Sequence, residues 1–290
     1  MYKLIAVDLD GTLLNSYSQV SEKNKQAIKN AKNKGIEVVL CSGRGFASVK
    51  SIANETEANN YAVCGNGALV YNIKNQKIMY NNFIEKEKVL QIIQICEENS
   101  IYYSICTTQN IIAKSLNYNV LFYHQENEKK PDDQKTNINV VQDIYKYIKD
   151  REKEDYLKIS ICDEHNVIFN GIIRKLRTIN KIDVLDVAHM SKKIIKHGTE
   201  ETEINYYYTE ITNQNVNKWQ ALEHLIKELN IKTEETIAIG DNVNDIQMIK
   251  NAGLGIAMDN SADYIKQYAD YITTDNNLDG VAEAINKYIE

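Results

Sequence analysis

The sequence has a single proline, no CxxC pair, no long apolar run and no HExxH or HxH spacing among its histidines. Its five cysteines are scattered and odd in number, which is typical of reduced thiols rather than of a disulfide framework. No uncharged apolar run reaches the roughly 20 residues that a membrane helix needs. The N-terminal segment carries Asp8 and Asp10 where a signal peptide would be apolar. These absences predict a cytoplasmic protein that does not associate with a membrane.

An excess of basic residues is also absent. Lys and Arg number 34 against 40 Asp and Glu, so the formal net charge is −6, whereas a general nucleic-acid binder normally carries a basic patch. What is present is a globular composition, 43% hydrophobic and 26% charged, which excludes disorder as the main state. The length of 290 residues predicts two domains or one large one. Nothing in the sequence indicates the oligomeric state.

Short apolar runs alternate with segments of helical period in the first 80 or so residues and again from near Trp219. The predicted strands are Lys3–Val7, Ile36–Cys41, Tyr61–Cys64, Thr236–Ile239, Leu254–Met258 and Tyr271–Thr273. The predicted helices are Ser21–Lys34, Gly45–Asn54, Trp219–Leu229, Asn244–Asn251 and Ala262–Tyr268. Such alternation is typical of an α/β domain, in which a parallel sheet carries helices on both faces.

The middle of the chain follows a different pattern. Predicted helices (Glu85–Asn99, Val140–Lys153, Asn166–Ile179) alternate with amphipathic strands (Tyr102–Thr107, Ile111–Ser115, Leu157–Cys162), and hairpin-like stretches follow near Val184–His197 and Glu203–Ile211. The polar segment Gln125–Asn137 is predicted to be a surface loop. We therefore expect residues 1–83 and 212–290 to form one α/β domain, interrupted by an α+β domain over 84–211.

Polar clusters follow several predicted strands. Asp8 and Asp10 come directly after Lys3–Val7, and residues two apart on a strand point to the same side. Two carboxylates this close repel each other unless a cation lies between them or they share a proton. An acidic turn without function is the other interpretation of this pair.

A second cluster, Ser42-Gly43-Arg44, follows Ile36–Cys41 and opens a helix. Backbone N–H groups at a helix start, together with a hydroxyl, suit an anion, although Ser42 could instead serve only as an N-cap. Lys218 opens the predicted helix Trp219–Leu229, and a lone lysine of this kind is usually only solvated.

The last cluster follows Thr236–Ile239 and contains Asp241, Asn244 and Asp245. Helix capping explains one such residue but not all three together. Asp241 could complete a metal site begun by Asp8 and Asp10, and oxygen ligands favour Mg²⁺. Ligands of open parallel sheets collect at the carboxyl ends of strands. The clusters together predict a site for a phosphoryl group.

Taken in order, these clusters resemble motifs I to IV of the haloacid dehalogenase (HAD) superfamily. The motifs are DxDGT at Asp8–Thr12, the Ser42 segment, Lys218, and GDxxND at Gly240–Asp245. The match is closer to the Cof-type hydrolases with a C2B cap, with support from segments such as SGR (42–44), GNGA (65–68) and AGLGIAM (252–258). The resemblance covers essentially the whole chain and implies a Rossmann-like parallel sheet core with an inserted α+β C2B cap domain.

Two residues depart from the family pattern near Lys218. Asn215 stands where the family often has glycine, and the bulky Trp219 follows the lysine. These departures leave the shape of the local loop open.

The resemblance implies a mechanism. Asp8 would attack phosphorus to form an aspartyl-phosphate, and Asp10 would protonate the leaving alcohol and then activate water. Mg²⁺ would be held by Asp8, the Asp10 backbone carbonyl and Asp241. The remaining roles are phosphate or substrate binding for Ser42, Gly43, Lys218 and Asn244, and orientation of Lys218 or of a metal-bound water for Asp245. The roles of two further residues stay open. Arg44 could face the substrate or form a structural salt bridge. Asn66 could line the site or only make a turn.

The function expected from the resemblance is therefore a Mg²⁺-dependent phosphatase. Its partner would be a small phosphorylated metabolite: a sugar phosphate first, with flavin mononucleotide and pyridoxal phosphate as further candidates. A phosphomutase of the phosphomannomutase type is the alternative enzyme, but the basic residues it would need in the middle domain (Arg151, Arg174, Arg177, Lys192, Lys193) do not obviously form a site. A non-catalytic phosphate-binding regulator is the third possibility, although it predicts loss of an aspartate that this chain retains.

Overall fold

A computed structural model describes residues 1–152, 154–185, 191–197 and 200–289, and these divide into two compact units. The first unit comprises Met1–Asn81 and Val216–Glu290, and the second comprises Asn82–Asn215. The sequence analysis expected the boundaries after residues 83 and 211. Part of the predicted hairpin Val184–His197, residues 186–190, lies outside the described residues.

The first unit is built on an eight-stranded sheet. Its strands, numbered along the whole chain, are β1 (Leu4–Val7), β2 (Glu37–Cys41), β3 (Tyr61–Cys64), β4 (Leu69–Asn72), β5 (Lys77–Asn81), β13 (Thr236–Gly240), β14 (Leu254–Met258) and β15 (Tyr271–Thr273). The order across the sheet is β15-β14-β13-β1-β2-β3-β4-β5. The predicted α/β fold with a parallel sheet is confirmed for the run from β15 to β3.

The other two strands, β4 and β5, extend the sheet as an antiparallel hairpin. The sequence analysis did not identify them. No helix separates β4 from β5, so a search for strands that alternate with helices does not find this hairpin.

Helices cover the parallel strands. They are α1 (Glu22–Asn33), α2 (Phe46–Glu55), α7 (Lys218–Glu228), α8 (Ile246–Asn251), α9 (Asp263–Lys266) and α10 (Gly280–Ile289). The helix α1 begins where Ser21 accepts a hydrogen bond from the Asn24 amide, as an N-cap residue does. β1 and β13 are buried along their whole length, and Leu222, Leu225 and Met248 from the helices pack on this core. A sheet buried in this way holds its strand ends in fixed positions.

The second unit is a mostly antiparallel sheet with helices on both faces. Its strands are β6 (Tyr102–Thr107), β7 (Asn110–Ala113), β8 (Asn137–Val140), β9 (Tyr156–Asp163), β10 (Ile182–Val184), β11 (Ser191–His197) and β12 (Glu200–Asn213). Its helices are α3 (Lys86–Glu98), α4 (Tyr118–Glu128), α5 (Ile144–Lys149) and α6 (Asn166–Leu176). Strand order is β10-β12-β9-β6-β7-β8, and β11 pairs with β12. Alternate residues such as Ile105, Ile159 and Ile161 pack with α3, α5 and α6 in one core.

Two sequence predictions in this unit are wrong. The segment 125–137 is not one loop, because α4 continues to Glu128 and β8 begins at Asn137. The predicted helix Val140–Lys153 starts only at Ile144, after Asp143 accepts a hydrogen bond from the Lys146 amide. Polar composition misled the first prediction, since α4 buries only Val120.

The five cysteines are free and buried. Among the described residues, the helices are all too short or too polar to cross a bilayer.

Candidate active site

The clusters found in the sequence meet at one edge of the first unit's sheet. β1 lies between β13 and β2 and is parallel to both, with Val7 opposite Ile239. Parallel strands that start together also end together, so Asp8, Ser42 and Asp241 leave adjacent strands at the same edge. The Asp8 amide continues the ladder by donating to the Ile239 carbonyl at 3.0 Å.

Lys218 is the centre of the cluster. Its side chain is wholly buried, and its Nζ donates to Asp8 Oδ1 at 2.5 Å and to Asp245 Oδ1 at 2.6 Å. Burial by itself would lower the pKa of Lys218, but the adjacent Asp245 and Asp8 outweigh it and raise that pKa. Lys218 is therefore a fixed cation that joins residues far apart in the sequence.

The carboxylates around Lys218 outnumber it. Burial raises the pKa of Asp8 well above its usual range, and the neighbouring Asp245 adds to that effect, while Lys218 opposes it. Burial followed by Asp245 also raises the pKa of Asp241 to about 7. Ligand oxygens of Asp8, Asp241 and Asp245 all lie within 4.8 Å of one another. This site therefore needs more positive charge than Lys218 supplies if all its carboxyl groups are to be ionised.

Asp241 and Asp245 each accept hydrogen bonds from nearby loop residues. The Thr12 hydroxyl donates to Asp241 Oδ1 at 2.7 Å, and the amides of Asp241 and Asn242 each donate to Asp245 Oδ2 at 3.0 Å. Thr12 was not among the residues singled out in the sequence, although its place within DxDGT was a usable signal. Asp245 both completes the capping box of the turn Val243–Asp245 and binds Lys218. Capping and a role in the charged cluster are therefore compatible.

Gly11 allows the first loop to approach Asp241. Its φ is +82°, and a Cβ atom there would lie 2.4 Å from Asp241 Oδ2. A side chain at this position would meet both a strained backbone and the carboxylate itself.

Asp10 does not belong to the buried cluster. Its carboxylate accepts from Arg44 Nε at 2.8 Å and from Arg44 Nη2 at 2.7 Å, which is a bidentate pair. The Asp10 side chain is 59% exposed and that of Arg44 only 4%. Of the two interpretations of Arg44, the structure shows the salt bridge.

The second loop is ordered by its own contacts. The α2 helix starts at Phe46 with Gly45 as its N-cap, so the N-cap interpretation of Ser42 is wrong. Ser42 is buried, and its Oγ accepts from the Arg44 amide at 3.1 Å. Asn66 is also buried, with φ of +60°, and its Oδ1 accepts from Asn244 Nδ2 at 3.0 Å.

A Cβ atom at Gly43 would lie 2.7 Å from the Asn66 Oδ1 oxygen. The structure thus brings Ser42, Gly43, Asn66 and Asn244 together. The Asn66 side chain lies between the loop that carries Ser42 and the loop that carries Asn244.

The two departures near Lys218 are accommodated locally. Asn215 has φ of +65°, a conformation that asparagine adopts more readily than most residues other than glycine. Trp219 is half-buried and packs against the apolar core that contains Leu222. Its bulk therefore does not displace Lys218.

Comparisons with known proteins agree with this geometry. A family model of haloacid dehalogenase-like hydrolases matches residues 5–285. The phosphatase YwpJ of Bacillus subtilis is 30% identical over 97% of both chains. The 5-amino-6-(5-phospho-D-ribitylamino)uracil phosphatase YcsE of the same organism is 27% identical over 99% of this chain and 96% of its own. The crystal structure of a haloacid dehalogenase-like hydrolase from Bacteroides thetaiotaomicron superposes with a TM-score of 0.80, at 30% identity and 99% coverage of both chains.

Proposed function

The chain belongs to the haloacid dehalogenase-like hydrolases, as a Cof-type phosphoric monoester hydrolase, and from this premise we propose that it is a Mg²⁺-dependent phosphatase that acts on small phosphate monoesters through an aspartyl-phosphate. The observation that carries the proposal is the buried contact of Lys218 with Asp8 and Asp245, beside Asp241. Residues 1–83 and 212–290 would form the catalytic core and 84–211 the cap. A cytoplasmic location stays a prediction of the sequence.

The carboxylate cluster fits a divalent cation. A nucleophilic carboxylate must be ionised, yet burial and Asp245 raise the pKa of Asp8 despite Lys218. Asp8, Asp241 and the Asp10 backbone carbonyl would hold Mg²⁺, which prefers oxygen ligands. When bound, the ion would offset negative charge on the phosphoryl oxygens.

The protein's own groups supply the covalent steps. A carboxylate oxygen of Asp8 forms a bond to phosphorus as the bond to the ester oxygen breaks, and Asp10 gives its proton to the departing alkoxide. Asp10 then removes a proton from a water that attacks the aspartyl-phosphate, which releases inorganic phosphate and restores Asp8. Lys218, Ser42 and Asn244 would bind the phosphoryl oxygens, with Gly43 leaving room for them and Asp245 orienting Lys218.

Sugar phosphates are the first substrates to test. The name of the relative YcsE adds a phosphorylated ribitylamino compound to this class, and flavin mononucleotide and pyridoxal phosphate complete the panel. Release of inorganic phosphate, rather than an isomerised phosphate ester, would distinguish a phosphatase from a phosphomutase.

The decisive test is hydrolysis of p-nitrophenyl phosphate with Mg²⁺ by the purified protein. We expect Asp8→Asn to lower kcat by at least about 10³-fold because the nucleophile is lost. Asp132→Asn, at an exposed carboxylate of the second unit, is the matched control and should keep wild-type activity. Hydroxylamine should trap the aspartyl-phosphate in the wild type only. Activity that persists in Asp8→Asn would remove Asp8 as the nucleophile.

A further inference from the structure

The loop after β1 is held by asparagine side chains that have no part in the proposed mechanism. Asn260 Nδ2 donates to the Gly11 carbonyl at 2.9 Å, and Asn276 Nδ2 donates to the Leu14 carbonyl at 2.8 Å. Asn260 follows β14 and Asn276 follows β15. Both asparagines therefore come from the outer strands of the parallel run, beyond the strands that carry the acidic cluster.

The two asparagines also bind each other. The Asn276 backbone amide donates to Asn260 Oδ1 at 3.1 Å, so the oxygen and the nitrogen of the Asn260 side chain are both engaged. That arrangement directs Nδ2, the only donor of this side chain, towards the Gly11 carbonyl. Asn260 is exposed, so its replacement by a smaller residue leaves no cavity in the apolar core.

The contact at Gly11 fixes one peptide group, the one that joins Gly11 to Thr12. Its carbonyl accepts from Asn260, and its N–H donates to the Leu9 carbonyl at 3.3 Å. Because a peptide group is planar, hydrogen bonds at both ends set its orientation. The Thr12 hydroxyl in turn donates to Asp241 Oδ1 at 2.7 Å. Asn260 is therefore connected to Asp241 through one peptide group and one side chain.

We propose that Asn260 is a positioning residue that orients Thr12, and through it Asp241, for the divalent cation. This role rests on the proposed function, in which Asp241 and the backbone carbonyl of Asp10, one residue before the fixed peptide, would hold the ion. Hydrogen bonds behind a metal ligand typically account for about 10–100-fold in metal affinity. Loss of the Asn260 amide should therefore weaken the metal site although every ligand is still present.

Magnesium binding in the absence of substrate tests the proposal. Isothermal titration calorimetry of the metal-free protein with MgCl₂ gives the Kd, and thermal melts in EDTA report on the fold. We expect Asn260→Ala to raise the Kd by about tenfold or more, and the rise in melting temperature that Mg²⁺ produces should shrink accordingly. The melting temperature in EDTA should stay within about 3 °C of the wild type, because the side chain is exposed.

Asn260→Asp separates positioning from simple electrostatics. Aspartate has nearly the same shape and can still accept from the Asn276 amide, but once ionised it cannot donate to the Gly11 carbonyl. An added negative charge near the acidic cluster would by itself tighten the binding of a cation. If the donated hydrogen bond is what matters, the Kd of Asn260→Asp should instead rise above that of the wild type.

The matched control is Asn277→Ala. Asn277 is also exposed, and its Oδ1 accepts from the Ser16 amide at 2.9 Å. It thus binds the same loop, but at a point beyond the peptide that Asn260 fixes. This variant should keep the Kd for Mg²⁺ within about twofold of the wild type, as a surface substitution away from the site does.

Three results would overturn the positioning role: an unchanged Kd in Asn260→Ala, a tighter site in Asn260→Asp, or an equal rise of the Kd in Asn277→Ala, which would indicate general loosening of the loop. A wild type that binds no Mg²⁺ would overturn it as well. Failure of the proposed function gives a different result. A wild type that binds Mg²⁺ but releases no phosphate from p-nitrophenyl phosphate or the sugar phosphates refutes the phosphatase, and the effect of Asn260 on metal affinity then still stands.

Discussion

Each unit of the protein buries a lysine against carboxylate, but the two sites differ in their balance of charge. In the second unit, Lys158 of β9 binds Glu210 of β12, and Tyr208 donates to the same carboxylate. One ammonium there meets one carboxylate. In the first unit, Lys218 meets Asp8 and Asp245, with Asp241 close by.

The two buried lysine sites differ in whether their carboxylates need a further positive charge. The pair in the second unit lies on neighbouring strands and is satisfied within the sheet, as a buried polar network should be for structural purposes. The cluster in the first unit lies where strands end, and its carboxylates exceed its cations, so it has capacity for a further positive charge. Excess charge, rather than burial, separates a site prepared for a ligand from a structural pair.

Substitution of the two lysines should produce the largest contrast. We expect Lys218→Met to lower kcat/KM for p-nitrophenyl phosphate by about 10²–10³-fold or more, because a fixed charge at the phosphoryl site is lost. Lys158→Met should leave that value within about threefold. Both should lower the free energy of unfolding by about 3–5 kcal/mol, since each removes the cation that a buried carboxylate binds.

Steady-state kinetics and urea denaturation of both variants check this expectation. A comparable loss of kcat/KM in the two variants would contradict the distinction between the sites.

The excess of carboxylate should also appear as a pH dependence of stability in EDTA. The pKa of Asp241 rises from 3.8 to about 7 in the folded protein, so its contribution to stability is full below about pH 4 and is lost as pH rises through about 7. The loss amounts to at most about 4 kcal/mol, less any solvent screening. Asp8 shifts in the same direction.

Thermal melts between pH 4 and 8 measure this effect. Asp241→Asn should flatten the decline, whereas Glu210→Gln in the second unit should leave it in place. Saturating Mg²⁺ should reverse it, because the ion binds the ionised carboxylates. A wild-type protein whose stability in EDTA rises steadily over this range would contradict the assignment of excess charge.

Substitution of one glycine in each unit should produce the smallest contrast in the free energy of unfolding. Gly11→Ala should destabilise the protein by about 1–2 kcal/mol because φ is +82° and Cβ would meet Asp241. Gly171→Ala, inside α6 with open space around it, should stabilise by about 0.5–1 kcal/mol. Urea denaturation resolves both, and a neutral Gly11→Ala would show that the close approach to Asp241 is not required.

The pattern of apolar residues predicted strand bounds most reliably where a strand is a single apolar run. The strands Tyr61–Cys64, Leu254–Met258 and Tyr271–Thr273 have the bounds that the sequence predicted, because each is an isolated apolar run between polar turns. It failed for α4, whose polar sequence buries one side chain. It also missed the β4–β5 hairpin, since an edge strand such as β5 is only half-buried and carries a weak apolar signal.

The contacts of the candidate site also fall into those that the sequence predicted and those that it did not. The residue types and their spacing in the sequence predicted that Asp8, Lys218, Asp241 and Asp245 share one site, because strand ends of a parallel sheet coincide. The partners of Asp10 and Asn66 could not be predicted. Arg44 had two equally reasonable interpretations, and its bidentate pair with Asp10 depends on the position of α2 relative to β1, which the sequence does not show.

The sequence by itself determined the fold class, the family and the identity of the charged residues, since these depend on local pattern and on order along the chain. The tertiary structure decided which charges are paired and which remain in excess. Lys218 and Asp8 are 210 residues apart in sequence yet 2.5 Å apart in space, and no local pattern encodes that distance. Electrostatic energies depend on separation and burial, and both are set only when the sheet brings its strand ends together.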